Sequence, residues 1–183
     1  MRAFIAIVLP LNIKGALLRI QGKLKAILPK ISWTKQENLH LTLKFLGEIS
    51  PEQISNIKQI IAEITKTTAG FKIKFETLGV FPNITRPRLI WTGTNQVPSE
   101  LKQIVERLEL KLAESGIPKE NRLFCNHVTL GRIKNNINPI ELEKALNKVR
   151  GDLVNENFEF DAGRITLFKS TLGPPTGPTY TAL

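Results

Sequence analysis

The side chains best suited to chemistry in this sequence are its two histidines, because each begins the same kind of tetrapeptide. Threonine fills 15 of the 183 positions, so its occurrence two residues after both histidines is improbable by chance. The two segments are residues 40–43 (HLTL) and 127–130 (HVTL). The four side chains that form the repeated pattern are His40, Thr42, His127 and Thr129.

The spacing within each segment has a geometric meaning if the segment is a β-strand. Side chains alternate faces along a strand, so His40 and Thr42 lie on one face, roughly 7 Å apart. His127 and Thr129 are arranged in the same way, and the apolar residues between them face a core. Two such strands on opposite walls of a cleft would present two imidazoles and two hydroxyls to one ligand.

This set of groups suits the hydrolysis of a phosphodiester. The attacking water must lose a proton and the departing oxygen must gain one, and imidazole titrates near neutral pH. The threonine hydroxyls can hold the non-bridging oxygens and orient the phosphate. The alternative interpretation is a pair of buried strand histidines whose hydrogen bonds are satisfied, which the matched motifs make less favourable.

Other chemistries find little support. Two histidines and the single Cys125 form no zinc site of known spacing. The sequence contains no glycine-rich phosphate-binding loop, dinucleotide fingerprint or nucleophile-elbow motif. We therefore expect neither a metal nor a cofactor.

Charge and composition indicate the partner and the compartment. Lysine and arginine number 26 against 16 acidic residues, a net charge of +10 that favours a polyanion such as RNA. A single cysteine fits a reducing cytoplasm. No apolar run approaches the length of about 20 residues that spans a bilayer, so no membrane partner is expected.

Hydrophobic periodicity predicts an alternation of strands and helices that repeats once. Strands are predicted at 2–9, 38–46, 71–80, 88–92 and 127–133, and helices from about 12, 50, 99 and 139, followed by two or three strands broken by a turn at 173–178. In both halves a histidine strand leads into a helix through Ser50-Pro51 or Asn138-Pro139. The histidines are 127 − 40 = 87 residues apart, about half the chain. Because each lobe alone is too small for a good core, we expect residues 1–183 to form one domain of two interleaved lobes.

At this point the chain resembles a known family, the two-histidine (2H) phosphoesterases with paired His-x-Thr-x motifs. Within that family it resembles the bacterial and archaeal RNA 2',3'-cyclic phosphodiesterases, once called 2'-5' RNA ligases. The resemblance covers nearly the whole chain and is most specific around the first motif. The segments that carry it are residues 2–7, 37–47, 79–83, 86–91, 126–132 and 170–174.

The resemblance implies a bilobal α+β fold with pseudo-twofold duplication, in which two antiparallel sheets line a central cleft and the helices lie outside. It also implies metal-independent opening of a terminal 2',3'-cyclic phosphate to a 2'-phosphate. By analogy His40 is the general acid that protonates the leaving 3'-oxygen, and His127 is the base that activates water. The nearly symmetric motifs do not assign these roles by themselves.

Three basic residues near the motifs are candidates for substrate binding. Lys44 continues the alternation of His40 and Thr42, so we expect it to reach a phosphate or solvent. Arg88 follows the stiff loop Arg86-Pro87 and can bind an RNA phosphate. Arg132 has the opposite parity to His127, so it reaches the cleft only if the strand bulges or ends there.

Two alternatives remain open from the sequence. The same residues would serve a 2'-5' RNA ligase or esterase, because catalysis is reversible. A non-catalytic module that grips RNA phosphates is a second alternative, although binding alone would favour Arg or Lys over histidine. We expect a monomer that acts on tRNA fragments or on other RNA 3' ends with a cyclic phosphate.

Overall fold

The computed structural model of the chain describes residues 1–173 and 177–183, which form four α-helices and ten β-strands. The helices are α1 (Leu11–Ile27), α2 (Pro51–Thr67), α3 (Ser99–Glu114) and α4 (Pro139–Asn155). The strands are β1 (Arg2–Val8), β2 (Ser32–Trp33), β3 (His40–Glu48), β4 (Lys72–Lys74), β5 (Thr77–Phe81), β6 (Leu89–Gly93), β7 (His127–Arg132), β8 (Glu159–Asp161), β9 (Ile165–Gly173) and β10 (Gly177–Ala182). The turn expected between β9 and β10 includes residues 174–176, which lie outside the described residues.

The strands form two four-stranded antiparallel sheets and one short pair. The first sheet has the order β10-β9-β1-β3 and the second has the order β2-β7-β6-β5. β4 pairs with β8. The first histidine motif therefore lies on β3, at an edge of the first sheet, and the second lies on β7 of the second sheet.

The two halves of the chain repeat one order of elements and exchange strands. The order β1-α1-β3-α2-β4-β5 corresponds to β6-α3-β7-α4-β8-β9, with β2 and β10 as additions. The first sheet takes β9 from the second half, and the second sheet takes β5 from the first half. The predicted bilobal, duplicated α+β fold is confirmed, and each sheet contains strands from both halves of the chain.

The helices cover the outer faces of the sheets. α2 and α3 pack against the first sheet, whereas α1 and α4 pack against the second. The apolar stripe of α1 is buried there as its spacing predicts, except for Ile27 at its end, which is exposed. The motif residues Leu41, Val128 and Leu130 are buried beneath the helices. The residues between His and Thr thus anchor each motif in the core, and the His–Thr face remains for the cleft.

The predicted elements agree with the structure except that β2 was not predicted and that one predicted strand is divided. The single strand expected over 71–80 is interrupted at Phe75 and Glu76, because β4 pairs with β8 while β5 joins β6 in the other sheet. At the start of α2 the predicted capping box is present, with the Ser50 backbone N–H donating to Gln53 Oε1 at 2.9 Å.

Both motif strands contain a β-bulge at the fourth residue of the motif. In the ladder between β1 and β3, Ala6 faces Thr42 and Ile5 faces Lys44, so Leu43 is the extra residue. In the ladder between β6 and β7, Trp91 faces Thr129 and Ile90 faces Gly131, so Leu130 is the extra residue. A bulge reverses the parity of the residues that follow it.

The bulge overturns the expectation for Lys44. Lys44 lies on the core face of β3, and its side chain is 1% exposed. Its ammonium donates to Glu109 Oε2 at 2.7 Å and to the carbonyl of Pro118 at 2.9 Å. The prediction that Lys44 reaches a phosphate is therefore wrong, because simple alternation does not include the extra residue Leu43.

We expect Lys44→Met to lower the free energy of unfolding by about 1–3 kcal/mol, because the Glu109 carboxylate and the Pro118 carbonyl would lose a buried donor. Chemical denaturation at constant pH measures the change. Lys72→Met is the matched control, since Lys72 forms an exposed ion pair with Glu159 and should matter little. Equal effects of the two substitutions would contradict the buried role of Lys44.

Candidate active site

The two histidines lie on the faces of β3 and β7 that the helices leave uncovered, and we call the surface between them the cleft. His40 lies opposite Val8 on β1, and His127 lies opposite Gly93 on β6. β3 and β7 pack against each other although they belong to different sheets. Burial is the main cause of the low pKa of His40 and the charge of His127 adds to it, so the two imidazoles lie within electrostatic range of each other.

Each imidazole is held by the backbone carbonyl two residues before it. Nδ1 of His40 donates to the carbonyl of Asn38 at 2.7 Å, and Nδ1 of His127 donates to the carbonyl of Cys125 at 2.9 Å. A carbonyl can only accept, so Nδ1 carries the proton in both neutral rings. Both Nε2 atoms are therefore the basic nitrogens that exchange protons.

The motif threonines lie beside the histidines on the same face. The Thr42 hydroxyl donates to Nε2 of His40 at 3.0 Å, so it contacts the reactive nitrogen directly. Thr129 lies opposite Trp91 and is half-buried. The structure thus places all four motif side chains where the alternation predicts.

Aromatic rings surround His40. Phe4 lies 4.8 Å from it between ring centroids, and Tyr180 meets it edge-on at 5.1 Å. Phe168 stacks on Phe4 at 5.3 Å behind this contact. The rings come from β1, β9 and β10, so the first sheet supplies an apolar wall for this histidine.

A second pair of aromatic rings lies against His127. Phe81 meets the imidazole edge-on at 5.2 Å and stacks on Trp91 at 4.9 Å. The indole of Trp91 lies on Gly79, where an added Cβ would be 2.4 Å from Cζ2. Glycine is required at 79 because any side chain would displace this wall.

The apolar walls shift the titration of both imidazoles. Burial lowers the pKa of His40 to about 4, the hydrogen bond to Asn38 opposes that change, and the charges of Lys14 and His127 add to it. Burial also lowers the pKa of His127 from its usual 6.5, against the hydrogen bond to Cys125. Both rings are therefore neutral at pH 7 in the free protein.

The bulge at Leu130 brings Arg132 into the cleft. Arg132 lies opposite Leu89 and shares a face with His127 and Thr129. The sequence allowed this position only if the strand bulged, and the bulge is present. Burial raises the pKa of the Tyr180 phenol and the charge of Arg132 opposes that rise, so the guanidinium lies near the wall around His40. The structure therefore places an exposed cation on the face of β7 that carries His127 and Thr129.

A buried amide from α1 supports that bulge. Nε2 of Gln21 donates to the carbonyl of Leu130 at 2.7 Å and to the carbonyl of Thr34 at 2.9 Å. The Thr34 N–H also donates to the Leu130 carbonyl, at 2.9 Å. The Leu130 carbonyl at the bulge of β7 therefore accepts two hydrogen bonds, which fix the course of the backbone that leads to Arg132.

The corresponding bulge in β3 places Phe45 where Arg132 lies in β7. Phe45 lies opposite Phe4 on the cleft face and is 65% exposed. An exposed aromatic ring is suited to stacking on a nucleobase. The two halves thus present an aromatic side chain and a cation at equivalent positions.

Arg88 lies just before β6 and is exposed. Its backbone is fixed, since its N–H donates to Phe81 and its carbonyl accepts from Ile133. Its role in binding phosphate stays a prediction.

Sequence reasoning missed several side chains that form the site. Phe4, Phe168 and Tyr180 have the appearance of ordinary strand residues, and no local spacing joins them to His40. Lys14, on the first turn of α1, has no motif at all. The position of Phe45 could have been predicted from the repeat, because residues 45 and 132 both lie five positions after a motif histidine.

Among the described residues, no group of three or more His, Cys, Asp or Glu side chains is arranged to hold a metal ion. No helix in the same part of the chain is both long and apolar enough to cross a membrane. The groups that converge in the cleft are two imidazoles, two hydroxyls, a guanidinium and aromatic rings. This set can transfer protons to and from a bound phosphodiester and neutralise its charge.

Comparison with known proteins gives a consistent assignment. The family described as "LigT like Phosphoesterase" matches residues 7–91 and again residues 93–180, and each match contains one histidine motif. A protein of Methanocaldococcus jannaschii named RNA 2',3'-cyclic phosphodiesterase is 36% identical, over 98% of this chain and 96% of its own length. A protein of the same name from Aquifex aeolicus is 35% identical, over 91% of this chain and 81% of its own length.

Solved structures agree with these relatives. TT0787 of Thermus thermophilus superimposes with a TM-score of 0.81 at 25% identity, over 100% of this chain and 95% of that chain. LigT of Escherichia coli complexed with 3'-AMP superimposes with a TM-score of 0.75 at 27% identity, over 100% of this chain and 94% of that chain. The duplicated fold, the two family matches and the relatives along the whole chain lead to one conclusion: this chain belongs to the LigT-like phosphoesterases, the two-histidine family.

Proposed function

We propose that this chain is an RNA 2',3'-cyclic phosphodiesterase that opens a terminal cyclic phosphate to a 2'-phosphate. The observation that carries the proposal is the pair of imidazoles on the contacting strands β3 and β7, each with Nδ1 bonded to a backbone carbonyl, so that Nε2 is the nitrogen that exchanges protons. The name shared by the relatives supports the substrate class.

The reaction requires two proton transfers that the histidines can divide. Water attacks phosphorus while Nε2 of His127 takes its proton. The bond from phosphorus to the 3'-oxygen breaks while protonated His40 donates to that oxygen. Because burial and the nearby charges of Lys14 and His127 lower the pKa of His40, the acid role needs a bound phosphate anion that offsets this shift and favours the imidazolium.

Other cleft side chains would bind and orient the substrate. The Arg132 guanidinium can neutralise the charge that develops on the phosphate, and the hydroxyls of Thr42 and Thr129 can hold its non-bridging oxygens. The exposed Phe45 ring would stack on the terminal base. Arg88 would bind a phosphate further along the RNA.

The remaining features of the proposal concern assembly and setting. Residues 1–183 act as one domain of two interleaved lobes, because each sheet needs strands from both halves. We propose that the protein works as a cytoplasmic monomer on tRNA fragments or similar RNA ends. Its charge of +10 would attract such polyanions.

The first test identifies the product. An oligonucleotide with a 2',3'-cyclic phosphate end, incubated in the presence of EDTA, should yield a 2'-phosphate end. Mass spectrometry and resistance to a 3'-specific phosphatase distinguish this product. A joined 2'-5' product in the presence of 5'-hydroxyl RNA would instead favour the ligase, and absence of conversion would favour the binding module. Loss of activity in EDTA that returns with a divalent metal would contradict the metal-independent mechanism.

The second test separates the two histidines. His40→Ala and His127→Ala should each reduce kcat by about 10²–10⁴-fold, because each removes a proton-transfer step. A diester with a nitrophenolate leaving group should restore the rate of His40→Ala and leave His127→Ala slow, since that leaving group needs no proton.

Thr42→Ala and Thr129→Ala are the comparison variants and should lose less, because they remove orientation alone. Restoration of His127→Ala instead of His40→Ala would reverse the assignment of acid and base.

The third test is the pH dependence. Activity needs one protonated and one neutral imidazole, and both pKa values in the free protein lie below 6.5. The profile of kcat/KM should therefore be bell-shaped with its maximum below pH 6.5, and it should fall as pH rises through 7. The profile of kcat should be displaced to higher pH, because bound phosphate favours the imidazolium. A kcat/KM maximum above pH 7.5 would contradict the depressed pKa values.

A further inference from the structure

Asn38, which precedes the first motif by two residues, connects two distant parts of the chain. Its backbone carbonyl accepts the hydrogen bond from Nδ1 of His40 at 2.7 Å. Its side-chain amide donates to the carbonyl of Pro178 on β10 at 2.8 Å, across 140 positions of sequence. One residue therefore holds both the histidine and the last strand.

A second contact joins the same strand to the same histidine. Tyr180 lies two residues after Pro178, and its ring meets the His40 ring edge-on at 5.1 Å with an interplanar angle of 90°. The ring also packs against Phe4 at 4.9 Å. β10 thus contacts His40 directly through Tyr180 and indirectly through Asn38.

The second histidine is fixed in a different way. The position equivalent to Asn38 is Cys125, which is exposed and supplies only its backbone carbonyl. The next residue, Asn126, is buried and donates to Thr94 Oγ1 at 3.0 Å, beside the adjacent strand β6. His127 therefore depends on neighbouring segments of the second half, whereas His40 depends on the far end of the chain.

We propose that Asn38 is a positioning residue for His40, which fixes the imidazole by tying its acceptor carbonyl to strand β10. Without the Asn38 amide, the carbonyl and the strand that carries Tyr180 could move independently. The imidazole would then lose its fixed ring direction, and Nε2 would spend less time aimed at the leaving oxygen. The kinetic part of this proposal rests on the proposed role of His40 as the acid.

The direct test uses the fact that the chain has two histidines, which makes nuclear magnetic resonance of the ring nitrogens simple to assign. In the unaltered protein both rings should show Nδ1 protonated. Asn38→Ala should change the tautomer balance and the ring shifts of His40 and leave those of His127 in place. Thr179→Ala, an exposed position on the outer face of β10, is the matched control and should change neither ring.

Kinetics supply a second readout. Asn38→Ala should lower kcat on the cyclic phosphate by about 10–100-fold, the effect usual for partners that orient a reactive histidine, with KM nearly unchanged. The loss should largely disappear with a nitrophenolate leaving group. If Asn38→Ala does not fold, as judged by its thermal transition, Asn38→Leu keeps nearly the same side-chain shape without a donor and carries the same test.

The outcomes separate this proposal from the proposed function. Unchanged His40 resonances in a folded Asn38 variant would overturn the positioning role, whatever the activity. An equal kinetic loss with both substrates would also overturn its action through leaving-group protonation. Absence of any cyclic phosphodiesterase activity would remove the proposed function, while a selective change at His40 would still support the structural link.

Discussion

The structure of the site depends on one hydrogen bond made twice, from Nδ1 of a histidine to the carbonyl two residues before it. This bond leaves Nε2 as the exchangeable nitrogen on both sides of the cleft. Because the acceptor belongs to the backbone, the direction of each ring follows from the path of the chain into β3 and β7. The backbone thus fixes the orientation of each imidazole. The aromatic rings and the threonine hydroxyls then contact an imidazole whose orientation is already determined.

Duplication provides the symmetry of the site, and small departures from it provide the chemistry. The equivalent positions 45 and 132 hold a phenylalanine and an arginine, so one side is suited to a base and the other to a phosphate. The surroundings differ as well, since His40 lies within three aromatic contacts and beside Lys14. A symmetric pair of imidazoles would not by itself favour one proton donor over the other.

The sequence was sufficient to predict the fold class, the repeat and the shared face of the four motif side chains, because these follow from hydrophobic periodicity and strand alternation. It was insufficient for residues after each motif. Simple strand alternation placed the Lys44 side chain in the cleft and placed the Arg132 side chain there only if the strand bulged. The bulges at Leu43 and Leu130 turn Lys44 toward the core and Arg132 toward the cleft face. A bulge depends on the partner strand and on donors such as Gln21, which no local pattern contains. The rings around His40 were also unpredictable, because their contacts depend on the exchange of β9 between the halves.

The strand exchange has a mechanical consequence. Four ladders join the two halves, because β9 pairs with β1, β5 with β6, β2 with β7 and β4 with β8. A hinge motion that separated the two halves would have to break these ladders. The distance between the strands that carry the two histidines is therefore fixed by the fold. The protein would bind an RNA end in a preformed site rather than by closing two domains around it.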